Sequence, residues 1–541
     1  MATTKYSHTR WVGCLIAASW VIVAILVGPS GDFALSDDWS YGWTVRGLCE
    51  RGELAFLPWT GASLVLQAWY GWALCEWFGF SFTVLRISTL VLAGSGLIGF
   101  FLLLRRAGLG VAACALGVAL LGFNPLFLNL SFSFMTDVPF VVAVVWASYF
   151  YLRGLGEDRL ALLFFGSAFC CAAVLIRQHG IFVAAAAALA ILVSGRGGFS
   201  TKTREVVAVA ALPSVAIGVW LVWLFFLHGA PAGIENKVSE AAGLTLVGLG
   251  NTAFRGLAYI GLFLIPLALS VFPARLRERS ASAAIAAVIF GAAAFFLYLR
   301  EKALMFYLPN LLYDFGLGAL TLRDVLFLGF APPGHMGPAL GVVVTSLSVA
   351  SAALLCATWH RCLREPRDPQ HAFLLYALVL TFAGTLLHTA FYFDRYLLAP
   401  LPFAIATVLR ARGVRRIGFG PWIVTLVIAF YSVAGTHDYM AWNRARYQGL
   451  AELSALGVGP EEIDGGFEYN AWHLAAKLGT WPTKEQTRLG KHPDRKSWWW
   501  VVDDRFVLSF SPLEGYSVRR EIPYSRWLLP GRGKVLVLER V

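Results

Sequence analysis

Stretches of about 20 apolar residues, separated by short polar links, recur along most of this chain and constrain its fold more than any other feature. Each is long enough to cross the hydrocarbon core of a bilayer as a helix, the state in which a single segment satisfies its own backbone hydrogen bonds. They fall near residues 11–28, 84–104, 109–124, 137–153, 160–177, 180–194, 206–228, 251–272, 281–299, 338–358, 371–391, 396–410 and 418–435, about thirteen in all. The runs at 109–124, 180–194 and 396–410 are short, in keeping with tilted or half-buried helices. With 58% hydrophobic and 14% charged residues, the chain reads as a polytopic α-helical membrane protein.

The net charge of +12 is not the footprint of a nucleic-acid binder, because the basic residues form short clusters between apolar runs and no continuous patch. With the N-terminus in the cytoplasm, one side of the membrane collects Arg105-Arg106, Arg153 with Arg159, and Arg196 with Lys202 and Arg204. The same side collects Arg275 with Arg277 and Arg279, Arg361 with Arg364 and Arg367, and Arg410 with Arg412, Arg415 and Arg416. The other, extracytoplasmic side receives loops 29–83, 229–250 and 300–337, together with Asp137, the Gln178-His179 corner and Asp394. Lys5 and Arg10 precede Trp11–Val27 as in a signal peptide, but that stretch is long for one and no clear cleavage site follows, so it is read as a retained first span. The eight cysteines show no metal-ligand spacing; Cys49 and Cys75 share an extracytoplasmic loop where they could pair, although buried free thiols are the commoner state.

Two domains are expected: a membrane domain over 1–435 and a small extracytoplasmic α/β domain over 436–541. In the first loop, Trp69, Tyr70, Trp72 and Trp77 within 60–79 suit a helix lying in the headgroup region, and Gln67 and Glu76 argue against a further span. Beyond residue 436 charged residues become frequent, 440–456 has helical periodicity, and Trp498–Phe510 and Lys534–Leu538 are of strand length. No nucleophile motif or phosphate loop occurs there.

Four boundary sites on the acidic face carry charge: Asp37-Asp38, Thr136-Asp137-Val138-Pro139, Arg177-Gln178-His179, and Asp394-Arg395-Tyr396-Leu397-Leu398. Singly, each has a plain explanation, Asp137 as a helix cap and the arginines as cations reaching for lipid headgroups. Together they suit transfer of a sugar from a lipid-linked phosphate. Arginine holds phosphate with two donors at once. The phosphate leaves as a stable anion, so no general acid is needed, and one carboxylate acting as base on the acceptor hydroxyl suffices. Direct displacement at the anomeric carbon would invert its configuration.

These motifs resemble the GT-C superfamily of glycosyltransferases, and within it the protein O-mannosyltransferase and lipid A aminoarabinose transferase branch. The resemblance implies a GT-C type fold with interfacial helices on the extracytoplasmic side. It implies Asp37 as catalytic base with Asp38 beside it, in place of the Asp-Glu pair of many relatives, which leaves the choice between the two open. Arg177, with Arg395 and Tyr396, would lie near the lipid phosphate, and Asp137 is the later acid of the family. Gln178, His179 and Asp394 flank these positions and are expected to contact substrate. Metal use is not determined by the motifs, and a divalent ion stays open.

The expected partners are a polyprenyl-phosphate sugar donor, membrane lipids, and an acceptor that is a glycan, a lipid or a protein. The alternative is a transporter or flippase of a lipid-linked saccharide, but such proteins place ionisable groups near the bilayer midplane, and here they gather at one face. The expected location is a bacterial plasma membrane.

Overall fold

The computed structural model describes residues 2–194, 197–278, 280–308, 310–364, 368–388, 392–411, 417–478 and 500–541. Arg196, Arg279, Arg367, Arg412, Arg415 and Arg416 of the expected basic links, and Trp498 of the expected strand, lie outside these residues.

After α1 (Ala2–Val27) come two short helices, α2 (Asp38–Arg51) and α3 (Val65–Phe78), the second being the helix expected at the interface, with Trp77 and Phe78 exposed. α2 stops at Gly52, whose φ of +70° lets its N–H close on the Leu48 carbonyl. α4 (Phe82–Arg106) begins on a Ser81 cap and ends on Arg105 and Arg106, where the helix dipole favours cations. α5 (Val111–Gly122) and α6 (Pro125–Ser131) form a pair bent by 61°, broken where Pro125 follows the Asn124 cap.

Next come α7 (Asp137–Glu157), α8 (Leu160–Ile176), α9 (Ile181–Val193) and α10 (Phe199–Val222), the last continuing as a π-helical turn to His228. α11 (Ala232–Ala242) is short, and α12 (Leu246–Phe263) and α13 (Ile265–Arg277) bend by 89° next to Pro266. After α14 (Ala281–Glu301), the loop to residue 337 holds the hairpin β1 (Leu312–Tyr313) and β2 (Gly316–Leu317) and one turn, α15 (Arg323–Leu326). The helical domain closes with α16 (Pro338–Arg364), α17 (Pro369–Thr385), α18 (Leu401–Arg410) and α19 (Phe419–Ala455).

Among the described residues six helices are long and apolar enough to cross a membrane, or eight if each bent pair is one span. The expected spans outside that count are the run at 11–28, which lies almost wholly within α1, that at 371–391, which lies largely within α17, and those at 160–177, 180–194 and 396–410, which form apolar helices of 10–17 residues. Of the most apolar window in α7, 78% is buried, against 11% in α14. α7 is therefore at the centre of the bundle, while α14 turns Val288, Ile289, Phe295 and Phe296 outward to lipid.

α19 is 37 residues long, so at about 1.5 Å per residue it outruns a bilayer core of about 30 Å and continues into the C-terminal region without a break. There it backs a four-stranded sheet of order β3-β4-β6-β5: β3 (Ile463–Asp464), β4 (Phe506–Ser509), β5 (Tyr516–Ser525) and β6 (Arg532–Arg540), with α20 (Phe467–Leu478) between β3 and β4. β3 runs parallel to β4 and the other pairings are antiparallel. At Gly449 α19 meets the sheet so closely that a Cβ would stand 2.9 Å from Ile522 and 3.0 Å from Val537.

The segment between α1 and α2 has no regular structure, and Arg86 of α4 holds it in place. Its guanidinium, almost wholly buried, donates to the carbonyls of Pro29, Gly31 and Phe33 at 2.7–2.8 Å. Replacing it leaves three carbonyls, that of Phe33 buried and two partly so, without this donor, so Arg86→Ala is expected to cost about 3 kcal/mol of stability. Tryptophan-monitored thermal unfolding in detergent measures this, and an unchanged midpoint contradicts it.

Candidate functional site

The two adjacent acids at the start of α2 part company in the fold. Asp38, in the first turn, is fully buried and spends both oxygens on backbone: Oδ1 accepts from the Leu35 N–H at 2.6 Å and Oδ2 from the Phe134 N–H at 2.9 Å. Burial raises its carboxyl to about 7, against those two bonds and the nearby Arg86, which lower it. Asp38 thus ties two irregular loops together. Asp37 precedes the helix and makes no capping bond with its side chain. Its carboxylate turns the other way, where Oδ1 accepts from Trp59 Nε1 at 3.0 Å and Oδ2 from an Arg395 terminal nitrogen at 2.7 Å, and it keeps a fifth of its surface open.

Arg395 comes from a 3-10 turn over Asp394–Leu398. Asp394 anchors that turn by accepting the Leu311 and Leu312 N–H groups at 3.0 and 2.8 Å, and burial lifts its carboxyl to about 7. Asp394 therefore fastens the β1 hairpin, with its carboxylate turned to backbone. Besides the bond to Asp37, the Arg395 Nε and Nη1 donors are buried with no acceptor among the described residues. Such orphans are rare and call for an explanation.

The second arginine is held where α8 gives way to α9. Arg177 donates from Nε to Thr136 Oγ1 at 2.7 Å and from a terminal nitrogen to Asp137 Oδ2 at 3.2 Å, with a further contact of 2.9 Å to Asp137 Oδ1. Asp137 sits in the first turn of α7, where the dipole favours an anion. The Arg177 guanidinium lies 5.9 Å over the Tyr396 ring, which brings the motifs of α7, α8 and the 3-10 turn to one place.

Arg177 and Tyr396 line a cleft with Gly61, Ala62, Phe140, Gln178, His179, Lys237, Thr381, Thr385, His388 and Ala399. The Gln178 Oε1 is buried without a donor among the described residues. His179 and His388 meet Nε2 to Nε2 at 3.2 Å, so one donates and the other accepts, and at least one ring is neutral. Lys237 of α11 reaches in to give a 2.6 Å bond to the Gly61 carbonyl; burial first, then Arg177 and Arg395, pull its ammonium down to about 7. Lys237, His388 and Trp59 were not singled out from sequence, since each lies in an ordinary loop or helix context and gains its meaning only from the neighbours it meets.

Among the described residues no three His, Cys, Asp or Glu side chains gather closely enough to hold a divalent metal, and Asp37 and Asp38 diverge.

Residues 65–223 match the family model described as dolichyl-phosphate-mannose-protein mannosyltransferase. A search of curated proteins returns no match. Among solved structures, the chain is similar to the S. cerevisiae protein O-mannosyltransferase Pmt1-Pmt2 complex bound to the sugar donor, at 14% identity and a TM-score of 0.31, covering 41% of this chain and 34% of that chain. The archaeal oligosaccharyltransferase AglB from Archaeoglobus fulgidus, in complex with an inhibitory peptide and a dolichol-phosphate, is 13% identical with a TM-score of 0.38, covering 80% and 55%. ArnT from Cupriavidus metallidurans bound to undecaprenyl phosphate is 12% identical with a TM-score of 0.39, covering 98% of each. The chain thus spans about a third of the mannosyltransferase and about half of the oligosaccharyltransferase. Scores this low leave the site's chemistry to be argued from its own residues. The family-model match takes in α3 to α10 with Asp137, Arg177, Gln178 and His179, and the chain resembles the GT-C glycosyltransferases as its motifs indicate.

Proposed function

We propose that this protein is an inverting glycosyltransferase that moves a sugar from a polyprenyl-phosphate donor to a hydroxyl acceptor on the extracytoplasmic face of a bacterial plasma membrane. The observation that carries the reading is the shared guanidinium of Arg395, which holds the Asp37 carboxylate with one donor and keeps two more buried donors without an acceptor among the described residues. A phosphate oxygen is the acceptor such donors are built for. Base and leaving group would then meet at one cation. The dolichyl-phosphate-mannose in the description of the matching family model, and the dolichol-phosphate and undecaprenyl phosphate bound in two of the similar structures, are of this lipid-phosphate class.

In the reaction the acceptor oxygen forms a bond to the anomeric carbon as the bond from that carbon to the phosphate oxygen breaks. The electron pair leaves on the phosphate, and the acceptor's proton passes to Asp37. Trp59 and Arg395 fix the carboxylate while leaving further lone pairs to take that proton. Arg177 and Lys237 add positive charge along the cleft, and Tyr396 forms its wall; Gln178 and His179 would orient the donor from the same lining. Asp37 is the base in this scheme, since Asp38 is committed to backbone.

Full-length protein in proteoliposomes, offered a panel of labelled undecaprenyl-phosphate hexoses and pentoses with cell-envelope acceptors, is expected to transfer label with inversion. Asp37→Asn is expected to lower the rate about a thousandfold with folding intact, whereas Asp38→Asn, which turns one acceptor into a second donor facing an N–H, mainly lowers the thermal midpoint. Undiminished transfer by Asp37→Asn removes it from the role of base. Passage of the lipid-linked sugar across the bilayer without transfer favours a flippase instead.

Lys237 supplies a pH signature. Its ammonium is charged below about 7 and neutral above, while the donor phosphodiester keeps its charge throughout this range. kcat/KM for the donor is therefore expected to fall as pH rises through about 7, and Lys237→Arg, charged at every such pH, to abolish that fall. An unchanged profile in the variant excludes Lys237 from donor binding.

A further inference from the structure

The loop that presents Asp37 is gripped from the far end of the chain. Ser36, immediately before it, has a φ of +57°, a left-handed conformation that a serine adopts only where its surroundings impose it. Its N–H donates to Glu468 Oε1 at 3.0 Å, across 432 positions of sequence. Glu468 lies in the first turn of α20, in the C-terminal domain. Its other oxygen accepts from Thr321 Oγ1 at 2.7 Å and from Arg446 of α19 at 2.9 Å, with both members of the ion pair fully buried. Arg446 is braced in turn by the Gly465 carbonyl at 2.7 Å.

A second contact from the same domain reaches the other side of the acid. The Trp59 indole that donates to Asp37 packs against Phe467 and Trp500, each with ring centroids 5.6 Å away. One turn of α20 thus touches both the peptide behind Asp37, through Glu468, and the side chain in front of it, through Phe467. A buried ion pair is a poor source of stability, since apolar residues of equal size do as well or better. Directional hold on a neighbouring backbone N–H is what the carboxylate adds here.

We propose that Glu468 is a positioning residue for Asp37, and that the C-terminal domain, through Glu468 and Phe467, sets the orientation of that carboxylate toward the acceptor hydroxyl. The inference rests on the reading of Asp37 as base. It gives the C-terminal domain a part in turnover without any contact with the reacting atoms.

The test is Glu468→Gln in the full-length reconstituted protein. The amide retains an oxygen for Ser36 but loses the charge that Arg446 holds, so the grip slackens. Three results are expected. Hydrogen exchange of the peptide spanning residues 33–40 rises. kcat for whichever panel donor the parent uses falls about tenfold, with donor KM within about twofold, because the cation cleft is untouched. Placed in an Asp37→Asn background, the substitution lowers the rate no further, as required of a residue that acts through Asp37. Unchanged exchange and unchanged kcat overturn the proposal, and so does a loss that adds fully to that of Asp37→Asn, which marks a merely structural role. Should Glu468→Gln fail to fold, Thr321→Val removes one of the three bonds to Glu468 and keeps the ion pair; it is expected to shift exchange and kcat the same way by less, and no shift in either counts against the proposal. If the parent uses no polyprenyl-phosphate donor, the reading of Asp37 falls, while the exchange measurement still decides whether Glu468 holds the loop.

Discussion

The contact between Arg395 and Asp37 joins positions 358 apart in sequence, and most of the site is arranged around it. A guanidinium withdrawn from water beside a bilayer is costly unless its donors are used, and the fold uses the one that faces Asp37. Arg177 is the contrasting case, with its donors committed to Thr136 and to Asp137. Around Lys237 the field is that of two arginines and two carboxylates, so with its own ammonium the cleft carries an excess of positive charge. A concave surface with that excess and low-dielectric walls concentrates anions. One arginine is therefore braced to supply field, and the other keeps donors in hand.

Other acids near this face do a different job. Asp38 accepts from Leu35 and Phe134, Asp394 from Leu311 and Leu312, Asp324 from Phe510 and Ser511, and Glu468 from Ser36. Each bond is to a backbone N–H, in a loop or, for Leu312, at the start of the two-residue strand β1. Buried N–H groups must find acceptors, and a carboxylate can serve several at once. The irregular loops at this face are held by buried acids much as a helix is held by its own ladder. Asp37 departs from the pattern, since both of its oxygens face side chains.

Much of this was readable in the sequence. The apolar runs gave the helical membrane class, and the change of composition after residue 436 gave a C-terminal α/β region, where β4 proved shorter than the Trp498–Phe510 run. The clustering of Asp137, Arg177 and Tyr396 also matches their gathering about one cleft. What could not be read depends on orientation and on distant partners. Asp37 and Asp38 are neighbours of one residue type, and only the entry into α2 sends them opposite ways. Span number is the least legible feature, because an apolar run of 15 residues and one of 25 look alike until the helix ends are placed. Glu468 lies in the first turn of α20, and nothing local to it in the sequence indicates a partner as remote as Ser36.

The continuity of α19 bears on how the two parts of the chain work together. Ile423, Leu426, Val427 and Phe430 face outward as on a lipid-facing helix, and Arg446, four to six turns further along, is wholly buried in the C-terminal domain. A flexible linker would let that domain drift relative to the bundle, whereas an unbroken helix transmits its position directly. Arg446 then holds Glu468, Glu468 holds Ser36, and Ser36 precedes the acid that meets Arg395. The chain of contacts closes on itself, from one end of the sequence to the other and back to the boundary of the bundle. Loosening any one of them spreads to the rest, so the geometry at Asp37 belongs to the whole fold and not to its own loop.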